Sequence, residues 1–543
     1  MKNIDGIISF GNPNYAELLT DIYTPPLDVS AVVFKDSNKV YALSPDKLID
    51  MGKAGEDDAK VIQSALNSLT PGRTWKEKVV LLGEFIVNTK LIIPSYTIFV
   101  FDKIVASNNF PDDVIITTAS AATNVEIING EIDGDKLNQN HDINGINFVG
   151  GVTYCRLHNV YVHDCYKHGV FINGSKVIVE NCKFDNNGRS DLGVWAIGCG
   201  GQPITDSVFK NITGNGNSAD LLHIAGTSTI YNYRNVIETV RSENNGGPAV
   251  DVSYSYYSTI KDVISRNEPK ALNAEPNAHY LKASDIVSIN STTASGLGAV
   301  RVIDSLEPQL TRITVINSAA SGIDLRGCND AKLLQFYIES ASERGILLNL
   351  ESRRTIISQG TISKCNGYGL YWYQPQRGTI RDVYFIENGQ GGVEQSALVL
   401  DGGNLASLKT KIVGCVFIDA QTTKTQLVGI EQINTASGNC WVELCEFYGI
   451  NTPISLSGTT NYLRNNVGYT TENSGTASIT GDGVTTTFTI PHGLVSTPSY
   501  VNVLPKAGAP TPSSIDVDAT NITLTFSTAP ATGTYYYWWE ARV

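Results

Sequence analysis

The stretch Gly169-Val-Phe-Ile-Asn-Gly-Ser-Lys-Val-Ile-Val-Glu-Asn-Cys-Lys-Phe-Asp185 decides how this chain folds. It holds two short apolar runs, Gly169 to Asn173 and Lys176 to Asp185, separated by Asn, Gly and Ser, which supply turns. Both runs recur. The longer pattern returns in Tyr154 to Asp164, Gln309 to Asn317, Ala331 to Glu339 and Arg377 to Glu387. The shorter one follows glycine again in Gly193-Val-Trp-Ala-Ile197, Gly322-Ile-Asp-Leu-Arg326, Gly345-Ile-Leu-Leu-Asn349 and Gly369-Leu-Tyr-Trp-Tyr373. Successive glycines step by about two dozen residues, too few for a sandwich unit or a propeller blade and right for one coil of a solenoid. A single coil cannot bury its own interior, whereas stacked coils bury a continuous apolar column.

Composition agrees. Charged residues make up 17% of the chain, and 49 glycines punctuate it, a mixture that suits strands and tight turns more than helices. Asp57 to Leu69 reads as the one persuasive helix. The formal net charge is −13 and is spread along the chain, with no basic face of the kind that holds nucleic acid. No run approaches the roughly 20 apolar residues that span a bilayer, so no membrane insertion is expected. Met1 to Ile7 carries no signal-like apolar run. The nine cysteines are scattered, and several sit in strand-like runs where a free thiol acts as a small buried apolar group. This points to a chain made and folded in a reducing cytoplasm. No Cys/His spacing suits zinc, and no dense acidic cluster suits calcium; neither a metal nor another cofactor is expected.

Gly55-Glu-Asp-Asp-Ala-Lys-Val-Ile-Gln-Ser-Ala-Leu66 resembles the capping segment of pectin-lyase-fold proteins, with an Asp-Asp N-cap before an amphipathic helix. Val79 to Val87 and Leu91 to Pro94 resemble their first coil, and Asn124 to Gly134, ending in Ile-Asp-Gly, an early one. The resemblance implies an all-β, right-handed parallel β-helix over residues 51–470, preceded by a small attachment region over 1–50. A C-terminal antiparallel β-sandwich is expected over 471–543, because Thr485 to Ile490, Tyr500 to Val503, Ile522 to Phe526 and Thr534 to Trp539 alternate in polarity. Such a body with these ends is similar to phage and archaeal-virus tailspikes. That likeness implies a homotrimer on the virion, made in the host cytoplasm. It would dock to a tail or baseplate protein through its N-terminal region and recognise, and depolymerise, a host surface polysaccharide. An extracellular polysaccharide lyase or epimerase and a non-catalytic glycan-binding spike are the alternatives.

Equivalent positions of successive coils stand about 4.8 Å apart. Aligning the short pattern puts its third residue outward each time, giving the column Phe171, Trp195, His223, Asp251, Lys282, Arg301, Asp324, Leu347 and Tyr371. Ionisable residues bracketed by aromatics suit a saccharide groove, because sugar rings stack on aromatic faces and charged groups take hydroxyls or acidic substituents. The candidate catalytic residues are therefore His223, Asp251, Lys282, Arg301 and Asp324. Phe171, Trp195, Tyr254, Arg326 and Tyr371 are the candidate substrate contacts. For β-elimination of a uronate, His223 or Lys282 would be the base, Asp251 its orienter, and Arg301 and Arg326 the clamps. For hydrolysis two carboxylates must flank the bond; Asp251 and Asp324 stand too many coils apart, and Asp220 with Asp251 or Asp304 with Asp324 are closer. The column slightly favours elimination. Lys167-His-Gly-Val-Phe-Ile-Asn-Gly resembles the Gly-His-Gly signature of polygalacturonases, but the Asn-Thr-Asp and Arg-Ile-Lys motifs of that family are missing. His168, His163 and Asp164 are read as turn residues.

Overall fold

The computed structural model describes residues 29–189, 194–293, 296–350, 352–403, 409–433, 439–457 and 461–543. The Pro-bearing stretch Tyr23 to Leu27, most of the expected attachment region, and Gly193 lie outside them. The chain divides into two compact units, Met1–Thr292 and Thr293–Val543.

In the first unit the described chain begins with three antiparallel strands, Ala31–Asp36, Lys39–Leu43 and Leu48–Lys53. The first of them also pairs in parallel with Glu77–Leu82, joining the meander to the coils. The expected helix is Asp58–Asn67, burying Ala59, Val61, Ile62, Ala65 and Leu66. Its N-cap residue Asp57 makes no side-chain capping bond to the helix. Asp57 instead accepts from the Lys53 N–H, while fully buried Asp58 accepts from the N–H groups of Gly55 and Ile86 and pairs with Lys35 at 2.6 Å. The Asp-Asp pair thus ties the cap to the first coils.

Two parallel sheets follow. One is built from short strands, among them Val170–Ser175, Ile197–Cys199, Leu222–Ile224, Val250–Val252 and Leu272–Ala274. The other is built from eight-residue strands such as Arg156–His163, Ile178–Asp185, Val208–Asn215, Val236–Glu243, Thr259–Arg266 and Lys282–Ile289. Each long strand is bent at its fourth residue, where Asn159, Asn181, Asn211, Thr239, Asp262 and Asp285 are left-handed. Asn and Asp tolerate that conformation better than other residues with a Cβ. The bend gives each coil a corner at no cost to the ladder on either side, and Asn211 donates to Asn181 Oδ1 at 2.7 Å across coils. Val, Ile, Leu and Phe fill the interior; Phe184 and Phe209 are fully buried. A second ladder runs inside: Asn187 donates to Asn217 Oδ1 at 3.0 Å, Asn217 to Asn245 at 2.8 Å, and Asn245 to buried Glu268.

The second unit repeats the pattern with short strands Gly298–Ile303, Ser321–Arg326, Ile346–Asn349, Leu370–Tyr373, Ser396–Asp401 and Val428–Ile433. Its long strands include Gln309–Ile316, Lys332–Glu339, Ile356–Ser363 and Thr379–Ile386. After them come two three-stranded antiparallel sheets, packed on Ile490, Ile522, Leu524, Tyr537 and Ala541. The chain is therefore nearly all-β and solenoidal, with the antiparallel C-terminal sheets expected from the alternating runs. All nine cysteines are buried and unpaired. Among the described residues, no helix is long and apolar enough to cross a membrane.

Candidate functional site

Register places the short-strand column of the first unit at Phe171, Gly198, His223, Asp251 and Asn273. Two expected members stand elsewhere. Lys282 opens a long strand and pairs with Thr259 on the other sheet; its place beside Asp251 belongs to Asn273. The reason was visible in the eight residues from Lys282 to Ile289, with Asp285 at the bend position that Asn181 occupies. Trp195 lies three residues ahead of the column position. Gly198 leaves room for the indole, since a Cβ there would come within 2.6 Å of the Trp195 ring.

The Trp195 ring lies on His223 at 4.1 Å and 6°, and its other face lies towards His168 at 5.0 Å and 16°. His168 accepts the Trp195 N–H at Nδ1, 3.0 Å away. Burial depresses its pKa to about 4, leaving the neutral ring that such an acceptor requires. His168, in the turn ahead of Val170–Ser175, is thus also a buried support for the indole. Phe171 packs next to it at 5.6 Å. With both faces covered, Trp195 holds the plane of His223; a sugar reaches its edge, not its face.

His223 donates through Nδ1 to Asp220 Oδ2 at 2.7 Å, and Asp251 Oδ2 lies 3.7 Å from the same nitrogen. Asp251 also accepts from Asn273 Nδ2 at 3.0 Å, and Asn273 donates on to Glu275 at 3.1 Å. Burial opposes charge on His223, but the hydrogen bond to Asp220 and the charges of Asp251 and Asp220 outweigh it, raising the imidazole pKa above its ordinary value. Burial lifts the Asp251 carboxyl to about 6, offset in part by His223, while Asp220 adds to the rise. With the imidazole raised and the carboxyl at about 6, imidazolium beside carboxylate is a pair able to give one proton and take another. Asp220, His223 and Asp251 bring ligand atoms within 4.8 Å of one another, as do Glu131, Asp133 and His163. In the second set Lys103 already sits 2.7 Å from Glu131; in the first a cation would have to displace the Nδ1 proton.

The candidates of the second unit form a different arrangement. Arg301 and Asp324 are register partners. Asp324 is 0% exposed, accepts from Arg326 Nε at 2.8 Å and pairs with Arg301 Nε at 3.4 Å. It is a buried counter-ion for two guanidiniums, with no surface left for a substrate. Tyr371 donates to Asp401 Oδ2 at 2.6 Å, and the guanidinium of Arg344 lies 4.8 Å over its ring while binding Glu394 at 2.6 Å. Leu347, between Asp324 and Tyr371 in the column, is buried. Asp304 is a left-handed turn residue. Tyr254 belongs to a tyrosine cluster just past Asp251.

On the long-strand face of the first unit, Lys183, Asp185, Asn215, Arg241, Glu243 and Arg266 line a cleft of 410 Å³. Lys183 and Asp185 pair at 2.5 Å, and Arg241 holds Asp262 at 2.8 Å. Those cations are largely spent on neighbours, so the His223 cluster is the stronger candidate for chemistry. Glu131, Asp133 and His163 lie further along this face.

The family described as right-handed beta helix region matches residues 277–467. No curated protein matches the chain in sequence. Among solved structures, bacteriophage phi29 gene product 12 in its pre-mature form is 13% identical with a TM-score of 0.54, covering 75% of this chain and 56% of that one. The Azotobacter vinelandii mannuronan C-5 epimerase AlgE6 A-module is 12% identical over 76% of this chain and 96% of that one, with a TM-score of 0.36. The Pseudomonas phage phi297 tailspike gp61 is 12% identical over 89% and 92%, with a TM-score of 0.40. Together with the strand registers, the family match makes this a right-handed parallel β-helix protein. At these identities the likeness to solved structures is one of fold.

Proposed function

We propose that the protein binds a polysaccharide across the short-strand sheet of its first unit and hydrolyses it by acid–base chemistry at His223 and Asp251. The observation that carries this reading is the Asp220–His223–Asp251 cluster, with an imidazole whose pKa is raised and a carboxyl lifted to about 6. Paired groups with displaced pKa values mark acid and base assignments. Asp220 fixes the imidazole through Nδ1, so Nε2 can face the substrate. The His223 imidazolium, in the place a carboxylic acid takes in the two-carboxylate arrangement, protonates the leaving glycosidic oxygen as the bond to the anomeric carbon breaks. The Asp251 carboxylate takes a proton from the water that forms the new C–O bond.

Elimination is the weaker chemistry here. It needs a cationic clamp on the uronate carboxylate, whereas Lys282 stands on the other sheet and Arg301 and Arg326 hold Asp324. A second reading, binding without cleavage, draws on the Trp195 ring filling the space above His223.

The wider setting belongs to the same proposal: a virion spike, homotrimeric, docked through its N-terminal region and directed at a host surface glycan. It is supported by the fold shared with the phage phi29 gene product. Purified protein incubated with host surface polysaccharides should release reducing ends without the ultraviolet absorbance of unsaturated uronates, and Asp251→Asn should abolish the release. Absorbance lost in Asp251→Asn would mean a lyase; bound but intact glycan would mean a receptor-binding spike. Light scattering on the purified chain should report three copies.

A further inference from the structure

Immediately beyond Asp251 the chain runs Val252-Ser-Tyr-Ser-Tyr-Tyr-Ser258. Here the coils place Tyr231, Tyr233, Tyr254, Tyr256, Tyr257 and Tyr280 at one corner. Tyr231 meets Tyr254 and Tyr256 edge-on at 5.9 and 5.4 Å; Tyr233 lies flat on Tyr256 at 5.4 Å. Tyr257 and Tyr280 stack at 4.8 Å and 5°. Tyr257 is 57% exposed.

Two observations separate this corner from ordinary surface. Gly226 is required beneath it, because a Cβ there would come within 2.6 Å of Tyr254 Cβ. Among the described residues none of the six phenol hydroxyls bonds to a protein group, whereas Tyr161, Tyr371 and Tyr448 each bond a carboxylate. Apolar ring faces with unused hydroxyls are what a sugar ring requires.

Charge narrows the ligand. Asp220, Asp251 and Glu275 face His223 and Lys270 near the reacting position, and at the corner Arg234 is held bidentate by Asp206 at 2.7 and 2.9 Å. Among these described residues carboxylates thus outnumber cations around the reacting position, a balance that disfavours a uronate.

We infer that this tyrosine corner is the subsite for the sugar residues adjoining the bond at His223 and Asp251, and that those residues are uncharged sugars and not uronates. Tyr254 stands three residues beyond Asp251, about 10 Å along an extended chain, so the saccharide crosses the coils and runs from the acid–base cluster to the corner. The inference rests on the proposed glycan site.

The test uses the full chain carrying Asp251→Asn, titrated calorimetrically with chito-, malto- and manno-oligosaccharides and with oligogalacturonate and alginate fragments. The expected result is binding of a neutral series, weakened about tenfold or more by adding Tyr257→Ala or Tyr256→Ala, with the acidic fragments weaker by a similar factor. Thermal melts of each variant, unchanged, would show that the fold survives; Tyr256→Phe keeps the ring if Tyr256→Ala does not fold. Preference for the acidic fragments, affinity indifferent to the tyrosines, or no binding to any neutral series overturns the inference. Tyrosine-dependent binding with no cleavage by the native chain would uphold the corner and defeat the hydrolase reading; cleavage indifferent to the tyrosines would do the reverse.

Discussion

Asp251 and Asp324 occupy the same kind of position, the middle of a short strand on a parallel sheet, one in each unit. Their neighbours differ. Asp251 faces an imidazole at 3.7 Å and a second carboxylate, and burial lifts its carboxyl to about 6. Asp324 is fully buried and ion-paired with two guanidiniums. A buried carboxylate beside histidine and aspartate retains a proton within reach of neutral pH, and so can do chemistry. One between two arginines serves as an anchor, and its removal strands two charges. Position in the repeat therefore says where a side chain points, and the adjoining coils decide what it does.

Asp324→Ala should show the largest effect on folding, a loss of about 3–5 kcal/mol as Arg301 and Arg326 lose their shared counter-ion, read by denaturant melts. An effect below about 1 kcal/mol would dissolve the contrast. Asp251→Asn should lower turnover by about 10²–10⁴-fold while leaving stability at pH 8 unchanged or improved. The sign follows from the raised pKa. The folded state holds the Asp251 proton more tightly than the unfolded chain, so its stabilising contribution is complete below the unfolded value near 4 and is lost as pH rises through about 6. Turnover should follow the opposite trend at its acid limb, rising through about 6 as Asp251 ionises and falling as His223 loses its proton.

Glu268 sharpens the same point without catalysis. It is buried, takes hydrogen bonds from Ser242, Ser265 and Asn245, and burial pushes its carboxyl to about 7. Its contribution is complete below the unfolded value near 4.3 and fades as pH rises through 7, so Glu268→Gln should flatten the stability profile between those limits by on the order of 1–3 kcal/mol. The smallest effect belongs to the exposed pair Arg354–Asp330, 2.6 Å apart with side chains 50% and 40% exposed. Arg354→Ala should leave the melt close to that of the native chain, which sets the baseline for a charge that neither reacts nor anchors.

Most of the fold was legible because a coil must repeat: Gly169, Gly322, Gly345 and Gly369 mark the same turn, and Asn159, Asn181 and Asn211 the same bend. His223 and Asp251 fell in one column by that logic. Lys282 did not, because Leu272-Asn-Ala274 is too short and too weakly apolar to announce a strand, and Lys282 was borrowed to fill its coil. The indole of Trp195 reaches the column only because Gly198 is empty, a three-dimensional fact that alternation does not encode. Asp220, weighed as a partner for Asp251, takes its role from a turn that sets it against His223 Nδ1. The arginine clamp on Asp324 and the supports His168 and Asn273 depend on contacts between coils that lie one repeat apart, and a column read from one strand type does not register them.

The most direct test of the account is glycan cleavage by the purified full chain, comparing the native protein with Asp251→Asn and His223→Gln on a panel of host surface polysaccharides, with reducing ends counted over time. The account expects reducing ends from the native chain, their loss in both variants, and glycan binding retained by Asp251→Asn. Cleavage that persists undiminished in both variants would contradict it.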